Sequence, residues 1–169
     1  TRLKSHEISV TSLPLLTVNT RSLFMSLPGL TSPLQTLPVD YHRFHFPAAG
    51  IPGETTVIEG PLFSVSPIAL RQKLSYMWQN KRTRTVLKTE EHGDILIMEI
   101  GATCVGSIHQ TYTPGEAVEK GQEKGYFAFG GSSTITIFQP NKVKLAKDLL
   151  ENSTQPQELY AFMGDHLGE

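Results

Sequence analysis

The sequence has a single cysteine, and that scarcity closes several routes at once. Cys104 can form no internal disulfide and no thiolate cluster for a metal. It sits in the apolar run Ala102-Thr103-Cys104-Val105, where a buried, inert thiol is expected rather than a nucleophile. An excess of either charge is lacking too: 15 basic side chains stand against 16 acidic ones, a net charge of −1. Nucleic acid, which calls for a clear basic excess, is therefore not an expected partner. No stretch reaches the roughly 20 uninterrupted apolar residues that span a bilayer. The most apolar N-terminal piece, Leu13 to Leu37, is broken by Arg21, Pro28 and Pro33. It lacks a cationic start and a cleavage site, so it does not read as a signal peptide. Metal-ligand spacing is missing as well, since His6, His92, His109 and His166 are scattered, and no metal site is expected.

What is present is one domain's worth of chain. Its 169 residues, 38% hydrophobic and 18% charged, suffice to close a single core and argue against disorder. The chain opens on Thr1, which predicts that something upstream has been removed. Residues 1–37 are rich in Ser, Thr, Leu and Pro and show no convincing element. They read as an extended arm or the remnant of an N-terminal lobe, with an apolar stretch compatible with a lipid surface.

From residue 38 to 169 the texture is strand and turn. Pro47, Gly50, Pro52-Gly53 and Gly60-Pro61 punctuate short segments, including Thr55 to Glu59 and Leu62 to Val65. A helical turn is predicted at Pro67 to Lys73, capped by Ser66 with proline at its first position. Arg82 to Lys88 and Asp94 to Ile100 read as strands, the second buried on nearly both faces, and Ala102 to His109 as an extension of the same sheet. Thr134 to Phe138 is a β-branched run, and Val143 to Glu151 has the apolar spacing of an amphipathic helix. The expected fold is mainly β (α+β), a compact β sandwich or barrel-sandwich-like domain with a few short helices.

Two places stand out chemically. The first is Asp40-Tyr41-His42-Arg43-Phe44-His45. Histidine moves protons near neutral pH, and two histidines three apart on an extended segment face opposite ways, which suits them to different tasks. The second is Gly130-Gly131-Ser132-Ser133 ahead of the apolar strand. A phosphate-binding loop or a hydrolase elbow would be followed by a helix, and here a strand follows. A serine at a glycine–strand junction has another use, because the flexible glycine lets its own carbonyl approach the neighbouring hydroxyl.

Three segments then carry a resemblance. Asp40-Tyr41-His42-Arg43-Phe44-His45-Phe46-Pro47, Gly101-Ala102-Thr103-Cys104-Val105-Gly106-Ser107-Ile108 and Gly125-Tyr126-Phe127-Ala128-Phe129-Gly130-Gly131-Ser132-Ser133 resemble, in order, those of phosphatidylserine decarboxylases. Asn80-Lys81-Arg82 and Met163-Gly164 fit as well, and the likeness runs from about Pro38 to near the C-terminus. The resemblance implies cleavage between Gly131 and Ser132, giving a β chain that ends at Gly131 and an α chain that starts at residue 132. The Ser132 hydroxyl would attack the Gly131 carbonyl, and the resulting ester would eliminate to dehydroalanine, which hydrolyses to a covalent pyruvoyl group. That group is the implied cofactor, an electron sink for decarboxylating phosphatidylserine to phosphatidylethanolamine and carbon dioxide. By the same likeness His42 serves decarboxylation and His45 is the base in self-cleavage, while Arg43 anchors structure or a nearby acid. Ser133 is the alternative attacking residue if the register slips by one.

The implied setting is a peripheral one at a membrane surface. The two chains would stay associated, and a homodimer is compatible with the likeness. Pyruvoyl-dependent decarboxylation of a soluble amino acid and a non-catalytic, processing-deficient relic or lipid-binding module are the competing expectations. The second arises from one departure. The family places a processing aspartate in a Pro-Ala-Asp-Gly-type segment upstream of the histidine motif, whereas this chain has only Asp40, Asp94, Asp148 and Asp165. Either the chain is a form without that N-terminal lobe, or Glu7, Asp40 or Glu54 stands in. With Gly131 and Ser132 joined in one chain, the expected state is the unprocessed proenzyme.

Overall fold

The computed structural model describes residues 8–9, 21–22, 30–36, 42–103, 106–128, 132–153, 159–160 and 164–169. Gly131, Cys104, Asp40 and Glu7 lie outside the described residues.

Alternating apolar side chains build the centre. Strand β7 (Arg82–Lys88) buries every second residue, Thr83, Thr85 and Leu87, and turns Arg84, Val86 and Lys88 outward. It pairs antiparallel along its whole length with β8 (Asp94–Ile100), as the sequence predicts, around a turn in which Gly93 takes a positive φ of 69°. On the far side of β8 lies β11 (Ser132–Phe138), and beyond it β3 (Leu30–Thr36), joined to β11 in a seven-residue ladder. The sequence offers no element for 30–36. The pairing that makes it a strand is non-local, which local periodicity cannot reveal. Short strands finish this eight-stranded sheet: β2 (Arg21–Ser22) and β12 (Leu159–Tyr160) beyond β3, with β5 (Ile51–Pro52) and β6 (Thr56–Ile58) sharing the outer edge of β7.

A second, three-stranded sheet has the order β4 (Arg43–His45), β10 (Glu123–Ala128), β9 (Ser107–Gln110). Here the sequence expectation needs correcting, because Ala102 to His109 does not extend the β8 sheet. The chain leaves that sheet after Ile100, and β9 pairs with β10 instead. A third pair joins β1 (Ile8–Ser9) to β13 (His166–Gly168). Phe46, Ala48 and Val118 pack against Leu87, Ile95, Ile97 and Phe138 between the sheets, which gives the mainly β character with few helices that the sequence implies.

The helices are short. Ser66 caps α1 (Pro67–Gln72) by accepting from the Ala69 N–H at 3.4 Å, as predicted, and α2 (Tyr76–Gln79) follows within one turn of chain. Leu62 to Val65 forms no strand; its backbone is held by a side chain instead, as described below. Helix α3 (Lys147–Ser153) begins four residues later than the apolar spacing suggests. Val143 and Leu145 are buried as alternate residues of an extended segment that bridges to Gly168, so the apolar spacing there follows a period of two and not 3.6.

Candidate active site

The histidine motif is a strand laid on β10. Arg43 pairs with Tyr126, Phe44 with Gly125 and His45 with Glu123. The Phe127 N–H donates to the His42 carbonyl at 2.9 Å, which extends the register one step further. Gly125 makes this close approach possible: a Cβ there would lie 2.1 Å from the His109 carbonyl oxygen and 2.8 Å from the Phe44 ring. The Phe44 ring meets Phe127 edge-on at 5.0 Å, fixing β4 on β10.

Alternation along β4 separates the two histidines. His42 shares a face with Phe44 and Phe46, which are buried, and stands level with Phe127, near the end of β10 from which the chain passes on to Ser132. His45, also buried, shares the other face with Arg43 and stands opposite Glu123, the first residue of β10. The opposed orientation expected from the i, i+3 spacing is thus what the register gives.

Glu123 is the residue that sequence reasoning missed. Arg43 donates from one nitrogen to both of its oxygens, at 2.7 and 2.6 Å, and the Thr111 hydroxyl donates to Oε1 at 3.1 Å. Burial pushes the carboxyl upward. The hydrogen bonds from Arg43 and Thr111 and the charges of Arg43 and His45 outweigh it, leaving Glu123 below the ordinary glutamate value. The Arg43 guanidinium also lies over the Tyr126 ring at 5.2 Å, and Tyr126 stacks on His109. Arg43 therefore anchors an acid, as its place in the motif suggests. Glu54, one of the proposed substitutes for the family aspartate, is exposed between β5 and β6.

Ser132 opens β11 in the other sheet, in register with Thr36 of β3. Its neighbour Ser133 pairs with Gln35 on one side and Ile100 on the other. The Ser133 side chain is buried, and its Oγ has no hydrogen-bond partner among the described residues. An unused buried hydroxyl one residue from position 132 is a donor available to a carbonyl group formed there, so this end of β11 fits a pyruvoyl moiety.

A buried polar network ties the histidine-bearing sheet to the serine-bearing one. Lys124 of β10 and Glu99 of β8 are both fully enclosed and form an ion pair at 2.9 Å. Lys124 also donates to the Gln110 Oε1 at 2.7 Å, while the Gln110 amide and the Thr83 hydroxyl both donate to the Glu99 Oε2. The ammonium lies 5.4 Å from the Phe44 ring centre and 5.3 Å from that of Tyr112. Burial pulls the Lys124 pKa below that of an ordinary lysine, against the opposing pull of the Glu99 carboxylate. The register between β10 and β4 shifts at this lysine, between Glu123 and Gly125. Such a bulge re-aims a side chain, and here it accompanies Glu123 facing His45 and Lys124 reaching the interior.

Comparison with known proteins bears directly on this arrangement. A family model described as phosphatidylserine decarboxylase matches residues 32–169. A protein of Clostridium botulinum (strain Eklund 17B / Type B) named phosphatidylserine decarboxylase proenzyme is 49% identical over 140 residues, covering 83% of this chain and 47% of that protein. The proenzyme of Clostridium tetani is 52% identical over 132 residues, and that of Chlamydia pneumoniae 49% over 131, each match covering 78% of this chain and 44% of the relative. The chain therefore spans about half the length of the curated relatives it matches.

Proposed function

This chain belongs to the phosphatidylserine decarboxylase family, and from that premise we propose that it carries the self-processing centre of a pyruvoyl-dependent decarboxylase acting on phosphatidylserine. The observation that carries the reading is topological. The strand bearing both histidines lies along β10, and Ser132 begins the strand that follows β10 in the chain.

In the first stage the Ser132 hydroxyl oxygen attacks the Gly131 carbonyl carbon, the Gly131–Ser132 C–N bond breaks, and an ester replaces the peptide. His45 takes the hydroxyl proton, and Glu123, facing it across the ladder, orients the ring in the role the family gives to an aspartate. Loss of the residue-132 Cα proton then expels Gly131 as a carboxylate and leaves dehydroalanine. Its hydrolysis releases ammonia and leaves the pyruvoyl group. Once formed, that group supplies a covalent electron sink for loss of carbon dioxide from an amine-bearing carboxylate. His42, on the opposite face of the same strand and level with the end of β10, would be the proton donor in that second stage, and the Ser133 hydroxyl would be available to hold the group. A substrate that resides in a bilayer implies peripheral work at a membrane surface; among the described residues no helix is long and apolar enough to cross a membrane.

Paired variants test the division of labour. His45→Ala slows appearance of the two fragments on a denaturing gel by about 10²–10⁴-fold, the range of general-base assistance. His42→Ala leaves fragmentation intact and abolishes carbon dioxide release from phosphatidylserine in mixed micelles. Release from free serine but not from phosphatidylserine would contradict the lipid substrate, and loss of fragmentation in His42→Ala would contradict the assignment of roles.

A further inference from the structure

Between β6 and β7 the chain makes an excursion that the catalytic reading does not use. Its inner side is ordinary core: Val65, Leu70 and Met77 pack with Ile100 and Ala102. Its outer side is not. Ile68 is 73% exposed and Trp78 54%, and Leu62 and Phe63 are exposed beside them in the chain, Phe63 stacked on Tyr76 at 4.5 Å. The charge of the region is equally uneven. From Gly60 to Thr89 the sequence carries Arg71, Lys73, Lys81, Arg82, Arg84 and Lys88 and no acidic residue, in a chain whose net charge is −1. Arg71, Lys73, Arg84 and Lys88 are exposed, whereas half-buried Lys81 pairs with Glu59 at 3.4 Å.

The excursion is stapled to the end of the fold that holds position 132. The buried Asn80 amide donates to the Phe63 carbonyl at 2.7 Å and to the Gly101 carbonyl at 2.8 Å, and its oxygen accepts from the Phe63 N–H at 3.0 Å. The Thr103 hydroxyl donates to the Leu62 carbonyl at 3.2 Å. Ile100, which supports the inner side, is the β8 partner of Ser133. Exposed apolar side chains, a tryptophan and a block of cations together match the boundary of an anionic bilayer, where indole rings sit at headgroup level and basic side chains meet lipid charge. A protein partner would be met by cations only if it were acidic.

We propose that the α1–α2 excursion is the surface by which this chain docks on an anionic membrane, with Ile68 and Trp78 entering the interface and Arg71 and Lys73 meeting the headgroups. The proposal rests on the membrane-surface reading above and adds which face of the molecule meets the lipid. Docking there brings the start of β11 to the bilayer together with the excursion, where a lipid headgroup would be presented.

Trp78 is the only tryptophan, so its emission reports the patch directly. The full chain is mixed with vesicles of phosphatidylcholine containing phosphatidylglycerol, which carries charge without the substrate headgroup, and with vesicles of phosphatidylcholine alone. The expected result is a blue shift of Trp78 emission and co-sedimentation with the anionic vesicles only, both reversed by high salt. Arg71→Glu with Lys73→Glu lowers the partition on the order of tenfold or more, and Ile68→Ser lowers it with the salt dependence kept. Circular dichroism of these exposed-site variants confirms their folding. Unchanged emission with anionic vesicles, equal binding to both vesicle types, or an emission already blue-shifted without lipid in a dimeric protein would each overturn the proposal. Fragmentation at residues 131 and 132 is read without lipid, so failure of docking and failure of the processing chemistry are distinguishable.

Discussion

Two adjacent serines are the finest distinction in this structure. Ser133 is enclosed between Gln35 and Ile100, and its hydroxyl bonds to no described residue. Leaving a buried hydroxyl unpaired costs about 1–3 kcal/mol, so Ser133→Ala is expected to be neutral or stabilising in denaturant unfolding and to leave fragmentation in place. Ser132→Ala is expected to stay full length. The motif made position 132 legible, but the contrast with its neighbour depends on strand pairing that no local pattern shows. Glu123 repeats the lesson. It sits among turn-forming glycines in the sequence, and only the register places it opposite His45. Its carboxyl lies below the ordinary value of 4.5, so its contribution to stability is present above that pH and is lost as the pH falls through the lower folded value. Glu123→Gln should therefore flatten the acid limb of a stability–pH curve. It should also slow fragmentation on the order of tenfold or more while shifting its pH profile, because His45 loses its orienting charge. A slowed rate with an unchanged profile would leave Glu123 only its structural bond to Arg43.

At the scale of elements, β10 does two jobs because of its bulge. Glu123 serves the outer face with His45, and Lys124 crosses the core to Glu99. Removing one partner of an enclosed ion pair strands the other, at a cost of about 3–5 kcal/mol. Lys124→Met and Glu99→Gln should each destabilise by that order, and the double variant should be less destabilised than the sum of the two, measured as a coupling energy in urea unfolding. Additivity would show that the pair contributes no coupling between the sheets. The sequence predicted β7 and β8 residue for residue, because their alternation is regular and their pairing local. It assigned position 99 to a buried face without indicating its partner, since Lys124 comes 25 residues later from another sheet. It also extended the β8 sheet through residues that turn away, where glycine at 101 and 106 brackets the departure.

On the scale of the whole molecule, the processed form should hold together without a covalent link. Strand β11, which would start the α part, lies between β3 and β8, which would both belong to the β part, and is bonded to each along most of its length. The two fragments are accordingly expected to co-elute in native size exclusion and to separate only in denaturant; separation under native conditions would contradict the paired sheet. The class of fold was legible from turn residues and β-branched runs. Insertion of β11 between two strands distant in sequence was not, because it depends on contacts that span about 100 residues. The central claim concerns one bond, and intact-mass analysis of the purified chain over time tests it most directly. The account predicts fragments of residues 1–131 and 132–169, the second with a blocked N-terminus and lighter by one ammonia than a serine-initiated peptide. A chain that stays whole on long incubation, no different from Ser132→Ala, would contradict it.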